Sequence, residues 1–117
     1  ARVIEHDYAY DLTRVNVDGH LVTVPKLEAS INENVRLRVR ASDVLLATRA
    51  PVDLSANTIL PGSVEAIAIA TGPFVDVRIS VEGFYVLSRI TKKSAERLQL
   101  GPGTKVFAII KTATLLH

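Results

Sequence analysis

Hydrogen-bond donors and one lysine cluster at three places in the second half of the chain, where apolar runs begin or end. They are Ser55 with Asn57 and Thr58, Thr91 with Ser94, and Lys111 with Thr112. Hydroxyl and amide groups donate hydrogen bonds, and an ammonium group balances negative charge. No carboxylate stands inside these three segments. Taken together, they predict a site for a small oxyanion at neutral pH.

Each of these groups also has an ordinary structural role open to it. Ser55 could cap a turn, Thr91 could cap a helix, and Lys111 could be a base at a strand end. The oxyanion interpretation therefore rests on the three segments together and on none of them singly.

Catalytic and metal-binding patterns are absent from the sequence. The histidines are scattered, and His6 with Asp7 is the only local pair of imidazole and carboxylate. A metal site needs two or three convergent ligands, and none stand at motif spacing. Gly101–Gly103 is not followed by the Lys-Ser/Thr pair of a phosphate-binding loop and has no strand before it, and no serine has the context of a nucleophile elbow. The sequence predicts a binding domain that is not an enzyme and has no cofactor.

The basic residues suggest a nucleic-acid-binding surface as an alternative. Arg36, Arg38 and Arg40 alternate with apolar residues and so share one strand face, and Tyr8 and Tyr10 are candidate stacking platforms. However, 14 basic residues are nearly balanced by 12 acidic ones, and aromatic residues make up only 5% of the chain. A net charge of +2 gives little bulk attraction to a phosphate backbone. No nucleic-acid partner is predicted, and the arginine face is interpreted as solvated or subunit-facing.

The composition is that of one globular domain, or of two small intertwined ones, with 117 residues in all. Apolar residues make up 48% of the chain, and because aromatics are few, the core must be built from valine, isoleucine, leucine and alanine. Cysteine is absent, which excludes disulfides and thiolate metal sites. This fits a reducing compartment, and a cytoplasmic location is predicted.

Alternation of apolar and polar residues dominates the chain and predicts antiparallel strands, as at Val35–Arg40 and Val75–Val81. Asp18-Gly19 and Glu82-Gly83 stand between such runs and predict tight hairpin turns. Further β runs are Arg2–His6, Leu21–Val24, Val44–Thr48, Gly62–Ile69, Phe84–Ile90 and Lys105–Lys111, with a last strand at Ala113–Leu116.

One segment has a helical pattern. Thr91 is a candidate N-cap, a helix is predicted over Lys92–Leu98, and Gly101–Gly103 ends the segment. A single short helix in a β-rich chain of this size is typical of small barrels of the OB type. The fold class predicted is all-β, with OB-like barrels.

One pattern occurs twice along the chain. Arg14–Val22 and Arg78–Val86 align in register through a shared order of arginine, β-branched residue, small polar residue, valine, acid and glycine. Val35–Ala41 and Val106–Thr112 form a second pair, and the extra residues between the later segments fall around the helix. The repeat predicts two related OB-like modules at residues 1–50 and 51–117.

Residues 55–116 also resemble a known family. The residues that carry the likeness are Ser55–Val64, the run Ile-Thr-x-x-Ser-x-x-x-Leu at Ile90–Leu98, and the run Gly-x-x-Val-x-Ala-x-Ile-Lys at Gly103–Lys111. This stretch is similar to the molybdate-binding Mop module, or molbindin. Val35–Ala47 resembles the strand before that module in ATP-binding subunits of molybdate importers, where the region is the C-terminal regulatory domain.

The resemblance implies a binding site for molybdate or tungstate between modules of two subunits, and therefore a homodimer. One departure from the family pattern stands at Asn57, where the family has Arg or Gln. Asparagine still donates through its amide, but it is shorter than either and lacks the charged fork of arginine. The oxyanion-binding residues that the resemblance implies are Ser55, Ala56, Asn57, Thr91, Ser94, Lys111 and Thr112.

The function expected from the resemblance is that of a cytoplasmic, oxyanion-binding regulatory domain of an importer ATPase subunit. Its partners would be an ATPase domain encoded upstream of Ala1 and the membrane permease subunits. Three alternatives stay open: a free-standing molybdate-binding or sensor protein, a structural dimerisation domain without ligand, and an OB-type nucleic-acid binder.

Overall fold

The computed structural model describes residues 1–115 of the chain. Leu116, the last residue of the strand predicted at Ala113–Leu116, and His117 lie outside the described residues. Within that range the chain forms strands and one α-helix, which confirms the prediction of an all-β fold with a single short helix. The elements are β1 (Arg2–Asp7), β2 (Leu12–Val17), β3 (His20–Pro25), β4 (Leu37–Arg38), a 3-10 turn (Ala41–Asp43), β5 (Val44–Ala47), β6 (Thr58–Ile69), β7 (Phe74–Val81), β8 (Phe84–Thr91), α1 (Lys92–Arg97), β9 (Lys105–Ile110) and β10 (Thr114–Leu115).

The described residues divide into two compact units. The first contains residues 1–39 and the segment from Thr112 onward, and the second contains residues 40–111. The modules predicted at residues 1–50 and 51–117 stay a prediction, and strand pairing underlies the two compact units. The strand β5 pairs with β9 and so belongs to the sheet of the second unit, whereas β10 pairs with β4 in the first.

The first unit contains a three-stranded antiparallel sheet in the order β1-β2-β3 and the short ladder between β4 and β10. Alternate residues of the three strands point to one face, where they bury valines in a small core. The buried residues of this core are Val3, Val15, Val22, Val24, Leu27 and Ala113.

The alternating segment 35–40 packs against that core as its pattern predicts. Val35, Leu37 and Val39 are partly buried against the cluster, and the three arginines between and after them are exposed. Within the described residues, the strand in this segment is Leu37–Arg38, which pairs with Thr114 and Leu115.

Two-residue turns join the hairpins β2–β3 and β7–β8, as predicted. Asp18-Gly19 and Glu82-Gly83 each connect the last residue of one strand to the first of the next. Gly19 and Gly83 have φ of 89° and 98°, a region that glycine enters without steric cost. The first pair of repeated segments therefore forms the same motif twice. The second pair does not, because β9 is a central strand whereas β4 is two residues long.

The second unit is a five-stranded antiparallel sheet in the order β5-β9-β6-β7-β8. Its two outer strands meet where the hydroxyl of Ser88 on β8 donates to the carbonyl of Val44 on β5 at 2.6 Å. Both residues are buried, Ser88 completely. This contact closes the curled sheet around an interior that includes Val77, Ile79 and Val106, each at most 1% exposed.

The helix α1 follows β8 and begins where the sequence predicts. Thr91 is the N-cap, and its Oγ1 accepts a hydrogen bond from the N–H of Ser94 at 3.1 Å. Ala95 is buried beneath the helix, which ends at Arg97 with Leu98 as its C-cap. The cap and the helix are thus confirmed.

The strand β6 pairs with two neighbouring strands along its length. Thr58–Ser63 pairs with β9, and the strand then pairs with β7 from Ser63 to Ile69. Gly62 lies where the strand passes closest to β7, because a Cβ atom there would lie 2.6 Å from the carbonyl oxygen of Ser80 and 2.8 Å from Cγ2 of Ile79. Only a residue without a side chain fits this crossing.

We expect Gly62→Ala to lower the free energy of unfolding by about 1–3 kcal/mol, because the added methyl group must push apart two packed strands. Gly101→Ala is the matched control, since a Cβ atom there meets nothing within 4 Å and the change should stay within about 0.5 kcal/mol. Urea denaturation of both variants measures the difference. Equal stabilities would show that β6 and β7 do not approach so closely.

Candidate functional site

Thr91 and Ser94 form one group of candidate residues, at the start of α1. The N–H of Ser94 donates to Oγ1 of Thr91, and the hydroxyl of Thr91 donates to Oγ of Ser94 at 3.0 Å. One of the two hydroxyl protons is used in this contact, so the pair keeps one hydroxyl proton that can be donated outward. Both side chains are half-buried. This end of the unit therefore offers one hydroxyl donor from the pair Thr91 and Ser94.

The arginine nearest to this group on β8 is already paired. Arg89 donates to both carboxylate oxygens of Asp76, at 2.8 and 3.0 Å. The hydrogen bond from Arg89, helped by its charge, holds the pKa of Asp76 below its usual value. Because this pair neutralises itself, the Thr91 end of the unit presents hydroxyl groups and not a free arginine.

Asn57 and Lys111 form a second group at the end of the sheet where β6 begins and β9 ends. Ile110 on β9 pairs with Thr58 on one side and with Val44 on the other. Asn57 and Lys111 are the next residues outward from this row, and both are exposed.

Two hydrogen-bonding features define the surroundings of Lys111. Its backbone N–H donates to the carbonyl of Asp43 at 2.9 Å, which fixes where β9 ends. Among residues 1–115 its ammonium group has no ion-pair partner. A free cation beside an amide donor is suited to an anion.

The two groups lie beside opposite ends of β6. Its first residue, Thr58, pairs with Ile110, which precedes Lys111. Its last residue, Ile69, pairs with Val75, and Val75 pairs with Ile90, which precedes Thr91. The 12 residues of β6 span roughly 35–40 Å along the strand. Among residues 1–115 no hydrogen bond or ion pair joins the two groups.

The other candidate residues lie outside these two groups. Ser55 and Ala56 lie in the connection that leads into β6, with Ser55 exposed and Ala56 half-buried. Thr112 falls in the first unit, where it is half-buried beside the buried Ala113. The assignment of these three residues to a site stays a prediction.

Two polar residues have roles that the sequence analysis does not assign. Thr58, which stands with Ser55 and Asn57 in sequence, is only 1% exposed and so lies away from solvent. Ser88 closes the barrel. The sequence does contain a signal for Ser88. It alternates with Val86 and Ile90 on the inward face of a strand, where an apolar residue is the usual choice.

His6 has a structural role within the first unit. Its Nε2 donates to the carbonyl of Ala29 at 2.7 Å, so Nδ1, 2.8 Å from Oγ1 of Thr13, accepts in the neutral ring. Thr13 is fully buried and also accepts from the N–H of Leu27 at 3.0 Å. The imidazole thus ties the segment after β3 to the sheet.

Among residues 1–115, no three His, Cys, Asp or Glu side chains lie close enough together to hold a metal ion. The helices in the same range are too short and too polar for any of them to cross a membrane.

Comparison with protein families gives one match that covers more than half of the chain. A family model described as the TOBE domain matches residues 54–116. This range contains β6 to β10 and α1, and with them both groups of donors described above.

Curated relatives match nearly the whole chain. The molybdenum import ATP-binding protein ModC of Mesorhizobium japonicum is 42% identical over 113 residues, which is 97% of this chain and 30% of the relative. The ModC protein of Rhizobium meliloti is 37% identical, and ModC 1 of Azotobacter vinelandii is 38% identical, each covering 97% of this chain and 32% of the relative. The chain spans about a third of the length of the curated relatives it matches.

A solved structure has the same fold. It is the cytoplasmic molybdate-binding protein ModG in a crystal form with molybdate bound. The two chains superpose with a TM-score of 0.80 at 25% identity, over 90% of this chain and 81% of ModG. The likeness confirms the predicted OB-like architecture, and together with the family match it assigns the fold to binding domains and not to enzymes.

Proposed function

Because the chain belongs to the TOBE domain family, we propose that it is a regulatory domain that binds molybdate or tungstate between two copies of itself. The observation that carries the proposal is the separation of its donors, with Asn57 and Lys111 beside one end of β6 and Thr91 and Ser94 beside the other. Two copies in opposite orientation would supply donors of both groups to one dianion.

The chemistry of the two groups is complementary. The free ammonium of Lys111 offsets part of the charge of a tetrahedral dianion, and the hydroxyl of Ser94 together with the amide of Asn57 donates to its oxygens. Lys111 and Asn57 are exposed in a single copy, so a second copy is also what would remove this group from water. Electrostatic attraction strengthens as water leaves, which favours binding at an interface over binding at an open surface.

The preference for molybdate or tungstate follows from size. A set of donors fixed by strand ends and a helix cap fits one anion radius best, and these anions are larger than sulfate. We therefore propose weaker binding of sulfate at the same site.

Regulation follows if the anion binds one arrangement of the two copies more tightly than another. A ligand shifts an equilibrium only by the difference between its affinities for the two states. The curated relatives are ATP-binding proteins about three times as long as this chain. The proposed parent protein is therefore an importer ATPase subunit in the cytoplasm, with permease subunits as partners, and the anion would bias how two such subunits sit together.

We expect Lys111→Ala to weaken molybdate binding at least tenfold, because a hydrogen bond to a charged ligand is worth roughly 1.5–3 kcal/mol. Lys105→Ala is the matched control, since Lys105 is an exposed lysine at the other end of β9 and should leave affinity within about twofold. Isothermal titration calorimetry with molybdate measures both. Unchanged affinity in Lys111→Ala would show that the site lies elsewhere.

Substitution of Asn57 distinguishes a domain that binds the anion from one with a purely structural role. We expect Asn57→Arg to raise molybdate affinity at least about threefold, because guanidinium adds a positive charge and a second donor at the same strand end. Asn57→Leu, similar in size but without a donor, should lower it. Should the parent chain bind no molybdate even at millimolar concentration while Asn57→Arg binds, the natural chain is a dimerisation domain that has lost its ligand.

A further inference from the structure

The second half of β6 has an open hydrogen-bonding edge. Ala66–Ile69 pairs with β7 on one side, and the pairing with β9 on the other side extends only as far as Ser63. One further contact, between Val64 and the Gly103–Thr104 turn, completes that side. Among the described residues no strand continues the sheet beside Glu65–Ile69.

The backbone groups that face this edge belong to Ile67 and Ile69. The N–H of Ala70 donates to the carbonyl of Phe74 on β7. Because neighbouring residues of an antiparallel strand point their N–H and C=O groups to opposite sides, Ala68 also faces β7, and Ile67 and Ile69 face away from it. The N–H of Val64 donates to the carbonyl of Thr104 and so points to the same outer side. This agrees with the direction of the Ile67 and Ile69 groups once the extra residue of the bulge, Glu65, is taken into account.

The open edge is also apolar. The sequence Ala66-Ile67-Ala68-Ile69 carries no charge, and all four residues are exposed, Ile69 to 93%. Native proteins block such edges with lysine, proline or a covering element, since bare edges recruit other strands. None of these devices stands within residues 66–69, so this edge is suited to pairing with another strand.

We infer that this edge pairs with the same edge of a second copy, antiparallel, about a twofold axis beside Ala68. This inference rests on the dimer of the proposed function and names its contact. In this register Ile67 of each copy faces Ile69 of the other, and both are the residues with free backbone groups. The two pairs give four hydrogen bonds. Between them the two Ala68 residues form a closely spaced pair, where a small side chain is needed.

A second copy fits this edge because the register is self-complementary. Isoleucine lies opposite isoleucine and alanine opposite alanine, as a twofold interface requires. The twofold axis also inverts one barrel relative to the other, so the two β6 strands run in opposite directions.

Amide hydrogen exchange tests the contact without any substitution. The Ile67 and Ile69 amides should exchange at least tenfold more slowly at a protein concentration where the dimer forms than at one where it dissociates. The Ala66 and Ala68 amides, which bond to β7 in either state, should change much less. Fast exchange of Ile67 and Ile69 in a demonstrated dimer would overturn the inference.

A pair of variants tests it by another route. Ile69→Pro removes one edge-facing donor from each copy and leaves the β6–β7 ladder intact, so the dimer dissociation constant should rise at least about tenfold. Ile69→Thr keeps both the N–H and the β-branched shape and should stay within about threefold. Sedimentation equilibrium with and without molybdate gives these constants, and the Ala68 amide reports whether the ladder survives.

The outcomes separate this contact from the function it serves. A parent chain that stays monomeric at high micromolar concentration with molybdate present would contradict the proposed dimer itself. A parent dimer that Ile69→Pro leaves unchanged would overturn only the β6 contact. Equal weakening by Ile69→Pro and Ile69→Thr would also overturn it, since the side chain and not the backbone would then carry the contact.

Discussion

The hydrogen bond from Ser88 to the carbonyl of Val44 is the constraint on which the second unit depends. It is 2.6 Å long and lies between two buried residues, where an unpaired hydroxyl or carbonyl would cost free energy. It joins the two outer strands of a five-stranded sheet and so fixes their relative level. The strand that ends just before Lys111 and the strand that ends at Thr91 belong to this closed sheet, so its strand order positions these two residues.

The consequence for function is that the candidate anion-binding groups of one copy are divided between two places. A hydroxyl donor at a helix cap lies beside one end of β6, and a free ammonium with an amide lies beside the other. Among residues 1–115 no hydrogen bond or ion pair joins these two groups. The same geometry that looks incomplete in one copy is suited to an anion that is bound only when two copies meet, which is what a regulatory contact requires.

Local signals in the sequence were sufficient for some of this structure and not for the rest. Thr91 as N-cap, the helix after it and the Gly83 turn depend on neighbours in sequence, and the structure confirms them. The pairing of β5 with β9, the return of β10 to the first unit and the closure by Ser88 depend on residues far apart in the chain. The alternation of apolar and polar residues within a strand does not identify the strand with which it pairs. The candidate donors could be selected from residue type and family pattern, but their division between two ends follows only from the sheet order.

Mixing two defective variants tests the central claim most directly. Lys111→Ala and Ser94→Ala should each bind molybdate poorly as pure proteins. If each site takes Lys111 from one copy and Ser94 from the other, a mixed dimer has one intact site and one doubly defective site. After subunit exchange, calorimetry should then find tight sites at about a quarter of the number in the parent protein, because about half of the dimers are mixed. Recovery of no tight sites in a mixture shown to contain mixed dimers would contradict a site shared between two copies.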